Sequence, residues 1–271
     1  MRQFLTTLMI FPLLGFVAFG QIGGSTEQAS RALAAARVAD LSARLHFADQ
    51  AGAERYHAIR DSVTAEINAN IDRYIGEAVE PIRANPKAVV DDIKYVLRGS
   101  AVDSEYSGPP VALVKTLAGN PVLLVGYVLV RGGDAVNDSY TSLRAYRVEN
   151  GRFQLTATTG SDFNGYGMFV EEVQSPVANE VWMIAWGPLF GFNGTRDRLR
   201  IYAYNGDGFR TVWEPQDSLN ASVHVTANGF SVDHLDEQRY YVDQRPPYFV
   251  RDEYVLTPDG PRQSASYYLP E

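Results

Sequence analysis

The chain has 271 residues, 45% of them hydrophobic, and a formal net charge of −8 at neutral pH. That length supports a large hydrophobic core in one or two domains. The negative charge repels phosphate backbones, and no basic stripe with interleaved aromatics occurs, so nucleic acid is not an expected partner. Cysteine is absent, which excludes disulfides, thiolate metal sites and a lipid anchor attached through an N-terminal Cys.

The first element is "MRQFLTTLMIFPLLGFVAFGQ". Arg2 precedes an uncharged apolar run from Phe4 to Phe19, and Ala18 and Gly20 are small residues at −3 and −1 of a cut before Gln21. That is the pattern of a secretory signal, and the run, broken by Pro12, is shorter than the about 20 residues of a membrane span. Residues 1–20 are therefore expected to be a signal peptide or, if uncleaved, an N-terminal membrane anchor. Only Lys87, Lys94 and Lys115 balance a chain otherwise rich in arginine. We read an exported bacterial protein, periplasmic or extracellular, with anchorage to the inner membrane as the alternative.

Residues 21–100 read as a helical segment. Ser25 and Gln28 form a capping box for a first helix, "ASRALAAARVADLSARLHFA". A second helix is predicted from Ala53 to Val79, because Tyr56, Ile59, Val63, Ile67, Ile71, Tyr74 and Ala78 recur in steps of three and four. Pro81 ends it, Asn85-Pro86 opens a third, and Gly99 closes that one. The apolar stripe of the second helix must be covered by the other helices, by the rest of the chain, or by a second copy in a homo-oligomer.

Residues 101–110, "AVDSEYSGPP", are a polar, Pro/Gly-rich linker. Residues 111–271 read as an antiparallel β domain. All three Trp and most of the Tyr lie there, in short runs separated by turn signals such as Gly119-Asn120-Pro121, Asn150-Gly151 and Asn228-Gly229. Eight strands are predicted in two groups of four: Val111–Leu117, Val122–Val130, Ser142–Val148 and Phe153–Thr158, then Met168–Val173, Val181–Gly187, Leu199–Tyr204 and Phe209–Glu214. Within them "LRAYRVENGRF" from Leu143 returns as "LRIYAYNGDGF" from Leu199, a shift of 56 residues without a gap. Tyr202 returns as Tyr254, and the Asp207-Gly208 turn as Asp259-Gly260, at a shift of 52. The expected fold class is α+β: N-terminal helices followed by an all-β domain of about three four-stranded units, propeller-like or a β-sandwich.

"SDFNGYG", Ser161 to Gly167, resembles the calcium loop of FG-GAP-type propeller repeats. The resemblance implies propeller architecture and makes Asp162 and Asn164 the metal-ligand candidates. Tyr166 replaces a third ligand and Val170 stands where an Asp closes the shell. Two oxygens fall short of the six to eight that calcium takes, so no metal and no cofactor are expected.

His224 and Asp233 are the catalytic candidates. A two-residue turn at Asn228-Gly229 sets them directly opposite each other, as a general base with its orienter or as an exposed polar pair. No nucleophile elbow accompanies them. Trp182, Trp186 and Trp213 are the ligand-binding candidates, either as a stacking platform or as sheet packing. Carboxylates suited to glycoside hydrolysis are plentiful, among them Asp197, Asp217, Asp236 and Glu237, but that chemistry requires a set separation. Three readings follow: a non-catalytic binding or assembly module with a protein or glycan partner; a secreted hydrolase of glycans or esters; and a scaffold that oligomerises through an uncovered helical stripe.

Overall fold

The computed structural model describes residues 17–49, 53–97, 109–129, 140–160, 162–163, 167–191 and 194–270. Helix α1 spans Val17–Asp49, α2 Ala53–Ala78 and α3 Pro86–Leu97, with a single 3-10 turn at Pro81–Arg83. The α1 start differs from the sequence expectation. Ser25 is no cap but lies inside a helix that runs through the expected cut before Gln21. The Ala-, Leu- and Arg-rich stretch that follows is strong enough in helix propensity to carry Gly23 and Gly24. Among the described residues no helix is long and apolar enough to cross a membrane. The α3 start is as expected: Asn85 Oδ1 accepts the Lys87 backbone N–H at 2.9 Å, and Pro86 occupies the first turn. Gly99 and most of the linker lie outside the described residues.

Three antiparallel sheets follow in series. The first contains β1 (Val111–Leu117), β2 (Asn120–Leu129), β3 (Tyr140–Glu149) and β4 (Arg152–Thr158). The second contains β5 (Phe169–Val173), β6 (Val181–Gly191), β7 (Gly194–Tyr204) and β8 (Phe209–Trp213), with the short β9 (Ser218–Leu219) added on β7. The third contains β10 (Ser222–Thr226), β11 (Gly229–Leu235), β12 (Phe249–Thr257) and β13 (Gly260–Tyr268). Each is a simple meander, so the expected α+β class with all-β units of four strands is the observed one.

Two hairpin turns sit one residue earlier than the sequence suggested. Leu117 pairs Asn120 around Ala118-Gly119, and Thr226 pairs Gly229 around Ala227-Asn228. In the first, Ala118 and Gly119 take the positive φ angles and release Asn120 into the strand. In the second, Gly229 belongs to the ladder because a Cβ there would lie 1.9 Å from the Tyr254 carbonyl oxygen.

Alternation along the strands decides which faces meet. Leu123, Val125, Tyr127 and Tyr146 of the first sheet join Val63, Ile67, Ile71 and Tyr74 of α2 in one core, with contributions from α1 and α3. The helical stripe is thus covered by the first sheet. Leu124, Leu143 and Ala145 on the opposite face pack against Met183, Ala185 and Tyr202 of the second sheet. Trp182, Ile184 and Leu199 then pack against Val223, Phe230 and Val232 of the third. The order is helices, first sheet, second sheet, third sheet.

The sheets share a local irregularity. Each fourth strand carries one extra residue opposite the third: Thr156, Val212 and Ser264. These bulges are separated by 56 and 52 residues, the two shifts of the sequence repeat. Each falls beside a third-strand tyrosine (Tyr146, Tyr202 or Tyr254) that points toward the preceding layer. The repeated Leu143 and Leu199 point toward the following sheet. A bulge twists an outer strand and removes it as a template for further pairing.

Candidate functional site

A cleft of about 530 Å³ opens between the second and third sheets. Its second-sheet wall is the Gln216–Leu219 segment around β9. Its third-sheet wall uses His234 and Leu235 at the end of β11, Val250 and Asp252 of β12, and Gln263, Ser266, Tyr267 and Tyr268 of β13. Asp236 and Glu237 close one end. The register explains why polar groups meet here. Phe230 and Val232 fill the layer between the sheets, and His234, on the same face, lies where that layer ends. Asp252 likewise follows the packed Tyr254 on β12.

Each carboxylate in the cleft already has partners. His234 Nε2 donates to Asp252 Oδ2 at 3.1 Å, and Gln263 Nε2 donates to Asp252 Oδ1 at 2.9 Å. Arg196 forms two 2.7 Å hydrogen bonds to Glu237, and the carboxylate in turn holds the guanidinium proton more tightly. Arg198 reaches Asp217 at 3.3 Å. Asp236 accepts the Arg239 backbone N–H at 3.0 Å and the Tyr268 hydroxyl at 2.8 Å; those bonds favour its ionised form and lower its pKa.

Beside the cleft lies the β11–β12 connection, whose first residues, Asp236 and Glu237, belong to the lining. Residues 236–248 close on themselves through a bond from the Asp236 N–H to the Tyr248 carbonyl at 2.8 Å. Within it Arg239 donates to the Pro247 carbonyl at 3.2 Å and lies 4.0 Å from the centre of the Tyr268 ring. Tyr240 packs edge-on against Tyr241 and Tyr248. Tyr240, Tyr241, Tyr267 and Tyr268 nevertheless remain between 42% and 52% exposed, an unusual concentration of open aromatic surface.

The catalytic candidates lie elsewhere, on the outer face of the third sheet. The one-residue shift of the turn places Ser222, not His224, opposite Asp233, and His224 opposite Ser231. His224 reaches Asp233 diagonally, with Nε2 to Oδ2 at 3.1 Å. Asp233 is clamped by Arg251 through two 2.6 Å bonds, and this pairing lowers its pKa. Its charge is therefore directed mainly at the guanidinium, which weakens it as the orienter of a histidine base. Neither residue lines the cleft.

The tryptophan candidates lie on strands of the second sheet, in contact with neighbouring aromatics or carboxylates. Trp182 is fully buried, with Nε1 donating to Glu180 at 2.7 Å, so neither ring face can meet a ligand. Trp186 is half-buried and stacked on Phe169 at 5.7 Å. Trp213 lies 5.4 Å from Phe230 and 5.2 Å from Tyr254 across the sheet interface. A strand covered on both faces uses its large aromatics to fill the inter-sheet layers, which is what β6 does.

For the metal candidates, Asp162 is exposed and its backbone carbonyl accepts from Arg200, while Asn164 lies outside the described residues. Among the described residues no cluster of three or more metal-ligating side chains occurs.

Asp197 is the one carboxylate of the interface with a strongly altered acidity. It faces the third sheet from β7, is 8% exposed, and accepts the Ala221 backbone N–H at 2.6 Å. Burial pushes its pKa up to about 6 against the opposing effect of that bond.

The sequence expectations did not include the cleft residues His234, Asp252, Gln263, Ser266 and Tyr268. Their one signal was a polar side chain at an inward position: His234 in step with Phe230 and Val232, and Asp252 in step with Tyr254. No protein-family model and no curated protein matches the chain.

Proposed function

We propose that the chain is a non-catalytic binding module whose ligand occupies the cleft between the second and third sheets. The observation that carries this reading is the engagement of every cleft carboxylate by a fixed partner, in a cleft whose lining includes the exposed Tyr267 and Tyr268. General acid–base catalysis needs groups whose environments drive their acidities apart within reach of one bond. A network of compensated carboxylates instead gives a rigid polar surface for recognition.

We further propose that the three sheets are copies of one propeller-type unit, with the helices standing where a preceding unit would pack. The matching bulges and the inward tyrosines support this. The N-terminal pattern supports export of a bacterial protein. The helical stripe, which the scaffold reading requires to be uncovered, is instead packed on the first sheet.

The test is a binding screen of the full chain on arrays of peptides and glycans, with Ser266→Trp as a variant that fills the cleft. A binding module retains its ligand intact by mass spectrometry, loses it in Ser266→Trp, and keeps it in His224→Ala. Cleavage of the captured molecule, dependent on His224 or Asp233, would establish the hydrolase reading instead.

A further inference from the structure

We infer that the cleft takes a neutral polyhydroxylated ligand, an oligosaccharide without charged groups. This inference rests on the binding-module reading above. Charge comes first. Asp217, Asp236, Glu237 and Asp252 face the cleft, so an anionic ligand is repelled. A cationic ligand would have to compete with Arg196 and Arg198, which already pair with Glu237 and Asp217.

Hydrogen-bonding capacity comes second. A carboxylate has about four acceptor sites, and each one here uses only part of them on its protein partners. Ser218 and Ser266 add hydroxyls that both donate and accept, and Gln216 adds an amide with both capacities. A surface that offers acceptors and donors side by side, with two of its four carboxylates paired to arginines, matches the dual character of sugar hydroxyls.

The third element is Tyr268. Its hydroxyl is tied to Asp236 and one ring face is covered by Arg239, yet 42% of the residue remains exposed. The ring is held in place before any ligand arrives, so little ordering is lost on binding. Its open face suits the C–H face of a pyranose.

The experiment is calorimetric titration of the full chain with cellohexaose, maltohexaose and chitohexaose. Oligogalacturonate and oligolysine serve as the anionic and cationic probes. At least one neutral oligosaccharide is expected to bind saturably at concentrations to about 1 mM. Tyr268→Ala should weaken it by about tenfold or more, and Tyr268→Phe, which keeps the ring and fold, should retain most of the affinity. Binding of oligolysine or oligogalacturonate in place of the neutral sugars, abolished by Ser266→Trp, overturns the ligand class and leaves the cleft as the site. Sugar binding indifferent to Ser266→Trp, or no binding of any probe, overturns the site as well.

Discussion

The two ends of the layered stack carry the same chemical pair in opposite surroundings. At the helical end Arg144 of β3 forms a bidentate pair with Asp72 of α2, Tyr146 donates to the same carboxylate at 2.7 Å, and Arg144 is only 5% exposed. At the other end Arg251 of β12 forms a bidentate pair with Asp233 of β11 on a face that no element covers. The repeat shows why the ends differ. Leu143 and Leu199 each pack on the sheet that follows, and the residue 52 positions after Leu199 is Arg251. Where a sheet follows, the position is apolar. In the third sheet, whose outer face no described element covers, it is charged. A charged pair suits an outer face that no described element packs against.

The comparison breaks first at the buried pair. Asp72→Ala leaves the Arg144 guanidinium enclosed without its counter-charge, and it should cost about 3–5 kcal/mol in urea unfolding. The neighbouring bond from Tyr127 to Asn68, at 2.6 Å, belongs to the same helix–sheet interface and cannot substitute. A loss below about 1 kcal/mol would mean that the helices do not hold the first sheet as described. At the open end the constraint is steric. Gly229→Ala drives a Cβ into the Tyr254 carbonyl, and separation of β11 from β12 there should cost about 2–4 kcal/mol, read from the same unfolding curves.

Much of this arrangement was legible in the sequence, and the parts that were not have physical reasons. The second helix was readable because its stripe keeps a period of three and four over many residues. The strands were readable because turn pairs bracket β-branched and aromatic runs. The start of α1 was misread because a good capping box at Ser25 competes with a stronger helical context on both sides. The hairpin at Gly229 was misread because its glycine serves a close backbone approach, a tertiary fact that no turn preference encodes. The cleft was hidden for a different reason. Its walls come from segments between Gln216 and Tyr268 that meet only once the third sheet packs on the second. The burial of Trp182 was not readable because aromatic residues in strands serve cores and binding surfaces alike, and its burial follows only from β6 being covered on both faces.

The junction between the second and third sheets adds a dependence on pH. Asp197 has a pKa of about 6 in the folded chain, against 3.8 for a free side chain, because burial disfavours its charge. A folded-state pKa that lies above the unfolded one means the folded chain binds the proton more tightly. The stabilising contribution is therefore full below about pH 4, falls as pH rises from 4 to 6, and is gone above that. Asp197→Asn keeps an acceptor for the Ala221 N–H and removes the titration. Relative to the parent chain it should gain stability on the order of 1–3 kcal/mol on going from pH 4 to pH 7. A parallel pair of stability–pH curves would show that Asp197 is solvated in the folded chain.

The smallest expected change in stability tests the capping argument directly. Arg251→Leu restores the apolar residue that the first two sheets carry at this position. The pair it removes lies at the surface, where solvent already screens the charges, so the unfolding midpoint should move much less than in Asp72→Ala. The effect should appear in association instead. A leucine beside the exposed Phe249 and Tyr267 turns the outer face of the third sheet into the kind of surface that Leu199 presents to its neighbour. Sedimentation velocity should then show the variant self-associating at concentrations where the parent chain keeps its mass. If Arg251→Leu sediments like the parent, the charge at this position is not what ends the stack, and the bulges along the fourth strands would have to carry that role alone.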